Sequence, residues 1–213
     1  MINAVIDIGT NSVRLYIAEE NGESQKKLLK DLATTRLGEG IAGSRVLLPS
    51  AMERTLDAVE AFVNRAKTYG AKNIYIYATA AVRQAQNRDE FAKMLQIRTA
   101  IPLRVLSGEE EAEIAYLGAA LGEDSAVIDI GGGSTEVIVA NLAVKAVSLN
   151  IGAVYLKESY PTQDGAIAPQ LQQEISAQLS REMAVFEPLG LQNAKTLIGV
   201  SGTVTTLASI ALN

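Results

Sequence analysis

The sequence predicts an α/β protein built from two similar lobes, and three observations lead to this prediction. The string AVIDIG occurs at residues 4–9 and again at residues 126–131. Both copies are followed by a glycine-containing turn and then by short runs rich in β-branched residues. Helical periodicity replaces this strand pattern later in each half. The copies are too far apart for a solenoid repeat, so we interpret the halves as two lobes, residues 1–122 and residues 123–213.

The first lobe is predicted to read β-β-β-α-β-α-β-α. Its strands are short apolar runs bounded by turn residues. A helix is predicted over residues 49–69, because apolar side chains recur there at helical spacing. Two more helices are predicted to begin at capping boxes, Asn87 with Glu90 and Ser107 with Glu110. The predicted strands lie at residues 5–8, 13–19, 26–32, 74–78 and 103–106.

The second lobe repeats this pattern but stops short of a last strand and helix. We therefore expect a mixed five-stranded sheet in the first lobe and an incomplete sheet in the second, in a shortened chain. An incomplete sheet leaves an unpaired edge, which favours a homodimer. The predicted strands and helices lie at residues 127–130, 135–140, 144–149, 154–159, 169–186 and 196–200, with a last helix beginning near Thr203.

Composition excludes several kinds of chemistry. The chain has no histidine and no cysteine, which rules out Ser-His-Asp triads, histidine-ligated zinc, disulfides and thiolate metal sites. Acid–base chemistry is left to carboxylates, lysine or tyrosine, and any metal is expected to be an oxygen-liking ion such as Mg²⁺. The lack of cysteine and of a leader-like segment fits a cytoplasmic location.

Charge and hydropathy argue against two classes of partner. The net charge of −5 argues against a nucleic-acid partner, which usually meets a basic face. No stretch approaches the roughly 18 apolar residues of a membrane span, so no membrane partner is expected. A small anionic substrate remains compatible, because backbone N–H groups and Mg²⁺ supply positive potential locally.

Two related glycine turns are the most informative feature. They comprise residues 7–12, DIGTNS, and residues 129–134, DIGGGS. Glycine lets backbone N–H groups approach a phosphate closely, and two lobes facing each other would hold a phosphate chain between the turns. A single such turn is also typical of a tight hairpin, but two at matching places favour phosphate binding. The turns are neither a Walker A loop nor a Rossmann fingerprint.

Acidic residues beside the turns indicate a magnesium site. Asp7 and Asp129 end predicted strands, a position that suits a Mg²⁺ ligand and equally a turn-capping residue. Glu136 is predicted to lie on the same face of its strand as Ser134. Its counterpart in the first copy is Arg14. This difference fits either a metal–phosphate site or a salt bridge between the lobes.

Three other places carry candidate residues. Arg83 follows a strand and either binds phosphate or covers the surface of the lobe. Residues 199–206 form a strand, a glycine turn and a helix start, which fits a phosphate contact or an ordinary N-capped helix. Glu109, Glu110 and Glu111 open a helix, where the helix dipole favours carboxylates. In a chain without histidine, a carboxylate is also the leading candidate to activate water.

Together these segments resemble the exopolyphosphatase/guanosine pentaphosphate phosphohydrolase (Ppx/GppA) family, within the actin/sugar-kinase/heat-shock-ATPase superfamily. The resemblance covers essentially the whole chain. It implies two ribonuclease-H-like (actin-like ATPase) lobes, the second of them truncated. It rests, in order, on residues 7–15, 36–40, 78–83, 107–112, 129–136 and 201–206.

The resemblance implies a Mg²⁺-dependent enzyme that removes terminal phosphates from inorganic polyphosphate or guanosine pentaphosphate. It implies that Glu111 is the catalytic carboxylate acting on water and that Asp129 and Glu136 organise the metal. Asp7 is a further metal candidate from its own position. The resemblance also implies a set of phosphate-binding residues: Asn11, Ser12, Arg14, Arg83, Gly131, Gly132, Gly133, Ser134, Ser201, Gly202 and Thr203.

Two other functions remain open from the residues. The shortened second lobe fits a non-catalytic binder or regulator that holds polyphosphate or guanosine tetraphosphate. A kinase of the same superfamily fits the glutamate-rich motif and the second glycine turn less well. The sequence does not choose between polyphosphate and guanosine pentaphosphate.

Overall fold

The computed structural model of the protein describes residues 1–22, 24–119, 124–140, 144–160, 162 and 166–212. The chain divides into two compact units, Met1–Leu106 and Ser107–Asn213. Each unit contains one mixed β-sheet, in agreement with the predicted fold class.

The strands of the first unit are β1 Ile2–Ile8, β2 Ser12–Asn21, β3 Ser24–Thr34, β4 Asn73–Ala78 and β5 Leu103–Val105. They form a five-stranded sheet in the order β3-β2-β1-β4-β5. The first three strands are antiparallel, whereas β4 joins β1 in parallel and β5 joins β4 in parallel. Alternate residues of β1, namely Ala4, Ile6 and Ile8, are fully buried because successive side chains of a strand point to opposite faces.

The described helices of the first unit are α1 Ile41–Ser44, α2 Pro49–Thr68, α3 Ala80–Gln84 and α4 Arg88–Thr99. The structure confirms the long predicted helix as α2, which has its proline in the first turn and is followed by Gly70 at φ 77°. Met52, Leu56, Val59 and Phe62 form its buried side. The sequence did not predict α1 and α3, because one turn of helix is too short to show a period.

The predicted capping box at the start of α4 is wrong, although the helix itself is confirmed. Asn87 makes no side-chain bond to the first turn of the helix. Instead Leu47 N donates to Asn87 Oδ1 at 2.9 Å, and Asn87 Nδ2 donates to Leu47 O at 3.1 Å. The amide therefore satisfies the backbone of a residue distant in sequence, which a local motif does not predict.

The strands of the second unit are β6 Ser125–Ile130, β7 Thr135–Ala140, β8 Val144–Leu149 and β9 Thr196–Val200. Their order is β8-β7-β6-β9, with β9 parallel to β6 and the other pairs antiparallel. This order repeats the arrangement β3-β2-β1-β4 of the first unit. The sequence repeat is therefore a repeat of structure, and the described part of the second sheet has four strands, as expected for an incomplete sheet.

The described helices of the second unit are α5 Gly108–Ala119, α6 Ala153–Ser159, α7 Pro169–Met183 and α8 Ser201–Ala211, with 3₁₀ helices at Ala184–Leu189 and Leu191–Asn193. The helix predicted to run to residue 186 thus ends as an α-helix at Met183. Pro188 lies in the following 3₁₀ turn, where a proline disfavours continued α-helix. No helix in the described ranges is long and apolar enough to cross a membrane.

Both faces of the second sheet are covered. Phe186 and Leu189 pack with Ala126 and Val139 on one side. On the other side Ala112 of α5 packs with the strand residues Val127 and Ile138.

Helix α5 groups with the second unit, whereas the sequence-based division places it in the first lobe. Ser107 N donates to Glu110 Oε2 at 2.9 Å and Glu110 N donates to Ser107 Oγ at 3.0 Å, which confirms the capping box predicted there. Ala112 of this helix is fully buried against the second sheet. The predicted boundary between residues 122 and 123 lies outside the described residues.

The first exit segment, residues 35–38, leaves β3 and folds back onto the turn between β1 and β2. Asn11 O accepts hydrogen bonds from Thr35 N at 3.1 Å and from Arg36 N at 2.9 Å. Thr10 O accepts one from Gly38 N at 2.9 Å. A Cβ on Gly38 would lie 2.3 Å from Thr10 Cγ2, so the close approach requires glycine.

The second exit segment, residues 150–155, leaves β8 and also holds the turn between β6 and β7 through backbone hydrogen bonds, one turn position earlier than in the first unit. Gly131 O accepts a hydrogen bond from Ala153 N at 3.0 Å, and Gly132 O accepts one from Val154 N at 2.8 Å. A Cβ on Gly152 would lie 2.5 Å from the backbone carbonyl carbon of Gly132. A backbone atom cannot rotate away, so this contact also requires glycine.

We predict that Gly152→Ala destabilises the protein by about 1–3 kcal/mol, the usual cost of forcing extra volume into a closely packed site. The free energy of unfolding, measured by urea denaturation followed by circular dichroism, checks this. Gly118→Ala is the matched control, because no heavy atom lies within 4 Å of a Cβ at that helical position. It should be neutral or stabilising by about 0.5–1 kcal/mol. Equal effects of the two substitutions would contradict the packing described for Gly152.

Candidate functional site

The first glycine turn is closed by a hydrogen bond from Gly9 N to Ser12 O at 3.0 Å. Thr10 is buried beneath it, whereas Asn11 is exposed and Ser12 half-buried. Asn11 Nδ2 donates to Ser12 Oγ at 3.3 Å. Because the carbonyl groups of Thr10 and Asn11 are both engaged by the first exit segment, the turn is fixed while the side chains of Asn11 and Ser12 remain accessible.

Asp7 and Arg14 face each other across β1 and β2 beside this turn. Arg14 Nη1 donates to Asp7 Oδ2 at 3.1 Å. Burial raises the pKa of the Asp7 carboxyl above its ordinary value, and the Arg14 guanidinium opposes that shift. Asp7, the predicted metal ligand of the first unit, is thus paired with a positively charged side chain of the same unit. This pairing also holds Arg14 beside the turn.

The second glycine turn has the same closure, from Gly131 N to Ser134 O at 3.0 Å. Ser134 is buried, and Gly131 and Gly132 are half-buried. Asp129 and Glu136 face each other across β6 and β7, in the register that Asp7 and Arg14 occupy in the first unit.

Glu136 is a buried acid, with 1 % of its surface exposed. Ser148 of β8, its cross-strand neighbour, donates its hydroxyl to Glu136 Oε1 at 2.7 Å. Two carboxylates directly opposite on neighbouring strands repel, and burial strengthens that repulsion. A cation between them relieves it, and hard oxygen ligands of this kind suit Mg²⁺.

The described residues contain no group of three or more Asp, Glu, His or Cys side chains that could hold a metal. Mg²⁺ commonly takes one or two protein carboxylates and completes its shell with water and substrate phosphate oxygens. The pair of Asp129 and Glu136 therefore fits a magnesium ion shared with a phosphate substrate, and does not fit a closed protein cage.

Glu111 differs from the other glutamates of α5 in its burial and in its place on the helix. Glu110 is engaged in the capping box, and Glu109 and Glu113 are exposed. Glu111 is half-buried and precedes Ala112, the residue of α5 that packs on the second sheet. Glu111 thus lies close to the packed side of the helix, on the unit that carries Asp129 and Glu136.

Arg83 lies on α3, whose preceding residue Thr79 donates its N–H to Ile8 O at 3.2 Å. Its side chain is half-buried, and Nη1 donates to Leu106 O at 3.0 Å. The side chain therefore also bridges two segments of the first unit. Phosphate binding by Arg83 stays a prediction.

Helix α8 begins at Ser201, two residues earlier than predicted. Ser201 has φ 75°, in the left-handed region, at the junction with β9. Gly202 is exposed, and Ser201 and Thr203 are half-buried. The first N–H groups of a helix have no partner within it, so this start can donate to an anion.

Sequence reasoning missed two contacts that shape the site. It gave no role to the first exit segment, although residues 36–40 contributed to the resemblance, and it did not consider Ser148. Both contacts join residues that are distant in sequence. The glycine residues that follow the third strand are a sequence signal for the contact of the first exit segment, whereas no local pattern indicates the contact of Ser148.

Comparison with known proteins connects this geometry to a family. The profile of the Ppx/GppA phosphatase family matches residues 16–212. Exopolyphosphatase 2 of Mycobacterium tuberculosis is 34% identical over 98% of this chain and 70% of its own length. The guanosine-5'-triphosphate,3'-diphosphate pyrophosphatase of Photobacterium profundum is 34% identical over 98% of this chain and 43% of its own.

The relatives differ greatly in how far they extend beyond the matched part. The bifunctional 3-dehydroquinate synthase/phosphatase of Fusobacterium nucleatum is 35% identical over 98% of this chain, which spans only 34% of that protein. The chain thus covers between about a third and seven tenths of these three relatives.

Two crystal structures give the same fold. An exopolyphosphatase of Cytophaga hutchinsonii has a TM-score of 0.90 and 25% identity, covering 99% of this chain and 70% of its own. The Aquifex aeolicus member of the Ppx/GppA family has a TM-score of 0.77 and 28% identity, covering 99% of this chain and 69% of its own. The predicted actin-like ATPase fold is confirmed by these matches. With its profile match over most of its length and the two aligned glycine turns, the chain belongs to the Ppx/GppA phosphatase family.

Proposed function

We propose that the chain is a Mg²⁺-dependent phosphohydrolase that releases terminal phosphate from inorganic polyphosphate or guanosine pentaphosphate. The names of its relatives, exopolyphosphatase and guanosine-5'-triphosphate,3'-diphosphate pyrophosphatase, support both substrate classes. The observation that carries the proposal is the buried Glu136 facing Asp129 beside a glycine turn. A structural hairpin has no need for two opposed carboxylates at that place.

In this proposal Asp129 and Glu136 hold Mg²⁺ in the second unit. The ion, when bound, neutralises charge on the phosphate oxygens and so favours attack by water. Ser148 orients Glu136 through its 2.7 Å hydrogen bond. Asp7 instead pairs with Arg14, so we assign it to positioning that cation, and a direct metal contact of Asp7 is the weaker alternative.

Each unit carries its own candidate phosphate contacts. In the first unit Asn11, Ser12 and Arg14 lie at the closed turn, with Arg83 as a further candidate. In the second unit the N–H groups of Gly132, Gly133 and Ser134 and the start of α8 at Ser201, Gly202 and Thr203 bind phosphate oxygens. Gly131 gives the turn its shape, since its own N–H is bound to Ser134 O. Phosphoryl transfer depends mainly on positioning and charge neutralisation, which these groups supply.

Glu111 provides the acid–base step. Its carboxylate accepts a proton from a water molecule as the water oxygen attacks the terminal phosphorus. The bond from phosphorus to the bridging oxygen breaks, and that oxygen departs with the shortened chain. A carboxylate is the natural base in a chain without histidine.

We predict that Glu111→Gln lowers phosphate release by about 10²–10⁴-fold while substrate binding is retained, because the amide cannot accept the proton. Release from polyphosphate and from guanosine pentaphosphate in the presence of Mg²⁺ is measured separately, and binding is measured by calorimetry.

Glu113→Gln is the matched control for this substitution, since it makes the same change at an exposed position of the same helix. It should leave release unchanged. Near-normal release by Glu111→Gln would contradict the assigned base. Tight binding without release by the unmodified chain would favour the non-catalytic binder.

We predict that Glu136→Gln removes the stabilisation that Mg²⁺ gives the protein, because the ion binds the native carboxylate pair. Without metal the variant should be about as stable as the unmodified protein, since glutamine has nearly the same shape and keeps an oxygen that can accept the Ser148 hydrogen bond. The thermal unfolding midpoint with and without Mg²⁺ checks both statements.

The exposed Glu182 of α7 provides a charge-matched control as Glu182→Gln. That variant should keep the full Mg²⁺ response. A full response in Glu136→Gln would show that the ion binds elsewhere.

A further inference from the structure

Arg36 stands on the first exit segment, between two buried residues. Thr35 exposes 4 % of its surface and Leu37 is fully buried, whereas Arg36 is exposed. Its backbone N–H is bound to Asn11 O at 2.9 Å, so its backbone is fixed beside a candidate phosphate contact. The position of this arginine is therefore set by the turn itself.

The backbone of Arg36 is strained. Its φ of 52° lies in the left-handed region, which glycine or asparagine adopts more readily than arginine. Strain of this kind persists where surrounding structure imposes it and is common at ligand-binding positions. In this protein the left-handed conformation of Arg36 is imposed by the backbone hydrogen bonds that hold the first exit segment on the turn.

Among the described residues, none compensates the charge of Arg36. Its guanidinium has no ion pair or hydrogen bond with any residue in the described part of the chain. Glu39, three residues later, is instead bound by Arg54 Nη2 at 2.8 Å. Arg54 also donates from Nε to Thr35 O at 3.1 Å, which fixes the exit segment from α2. An exposed cation on a rigid support is left available for an anion.

The repeat shows that this cation is specific to the first unit. The second exit segment holds its turn through the same kind of backbone bonds, yet residues 150–155 contain no lysine or arginine. The turn that it supports lies beside the two opposed carboxylates. The first unit therefore has two cations at its turn, Arg14 and Arg36, where the second has an acidic pair.

We propose that Arg36 is a further phosphate-binding residue, which contacts the phosphate adjacent to the one held by the first glycine turn. This rests on the proposed function, in which that turn grips phosphate. In this proposal Arg14 contacts the phosphate that the first glycine turn holds, and its charge is partly neutralised by Asp7. Arg36 lies beyond the end of β3, opposite the exposed Asn11, and its planar guanidinium suits bidentate bonds to phosphate oxygens. Arg36 thus favours substrates with several linked phosphates.

The test compares Arg36→Gln with Arg45→Gln. Arg45 is also exposed, has φ 53°, and carries no assigned role, so both variants remove a charge at a left-handed position of the first unit. The full chain is assayed for KM and kcat with long-chain polyphosphate, for Kd with the same anion, and for inhibition by inorganic phosphate.

Arg36→Gln should raise KM and Kd for polyphosphate about tenfold, the loss expected for one charge-assisted contact, with kcat unchanged. Inhibition by inorganic phosphate should not change, because a single phosphate does not reach Arg36. Arg36→Lys should recover part of the affinity, and Arg45→Gln should match the unmodified chain. Arg36→Gly, which relieves the backbone strain, should fold and bind as weakly as Arg36→Gln.

Unchanged affinity of Arg36→Gln and Arg36→Gly, or an equal loss in Arg45→Gln, would overturn the assignment. An equal loss of affinity for inorganic phosphate would also overturn it, because Arg36 would then act on the turn's own phosphate. If the unmodified chain binds polyphosphate without hydrolysing it, the proposed activity fails while the Kd comparison still tests Arg36. If the unmodified chain binds no polyphosphate, both proposals fail.

Discussion

The backbone hydrogen bond from a turn glycine to a serine carbonyl recurs in both units and fixes the shape on which the site depends. Gly9 with Ser12 and Gly131 with Ser134 make it at the same 3.0 Å. The segment after the third strand then binds the remaining turn carbonyls, which requires Gly38 in one unit and Gly152 in the other. Once these bonds are made, the N–H groups that follow the glycine and the exposed polar side chains of the turn are left for a ligand.

One cross-strand position gives the two similar turns different chemistry. Asp7 faces Arg14 in the first unit, and Asp129 faces Glu136 in the second. The first pair is neutral as a whole and presents a cation, which suits phosphate. The second pair combines two acids, one of them buried, which suits a metal ion. A single substitution in a duplicated framework therefore changes the charge of this cross-strand pair, and this difference underlies our proposal of a phosphate contact in one unit and a metal site in the other.

Much of this protein could be predicted from local sequence patterns. The repeated AVIDIG string, the strand runs, the long helix over residues 49–69 and the capping box at Ser107 were all confirmed, because each depends on neighbours within a few residues. The capping box at Asn87 failed because a residue 40 positions away competed successfully for the same amide. The short helices α1 and α3 were not predicted, because a single helical turn is too short to show a repeating pattern of apolar residues.

The sequence by itself determined the two-lobed α/β fold, the absence of histidine and cysteine chemistry, and the family. Only the tertiary structure decided which unit α5 joins, that Asp7 is paired with Arg14, and that Glu136 is buried against Ser148. It also showed that Arg36 is held beside the first turn with its charge uncompensated by described residues. These features depend on contacts between segments far apart in the chain, whose register and burial are set by packing and leave no local signature.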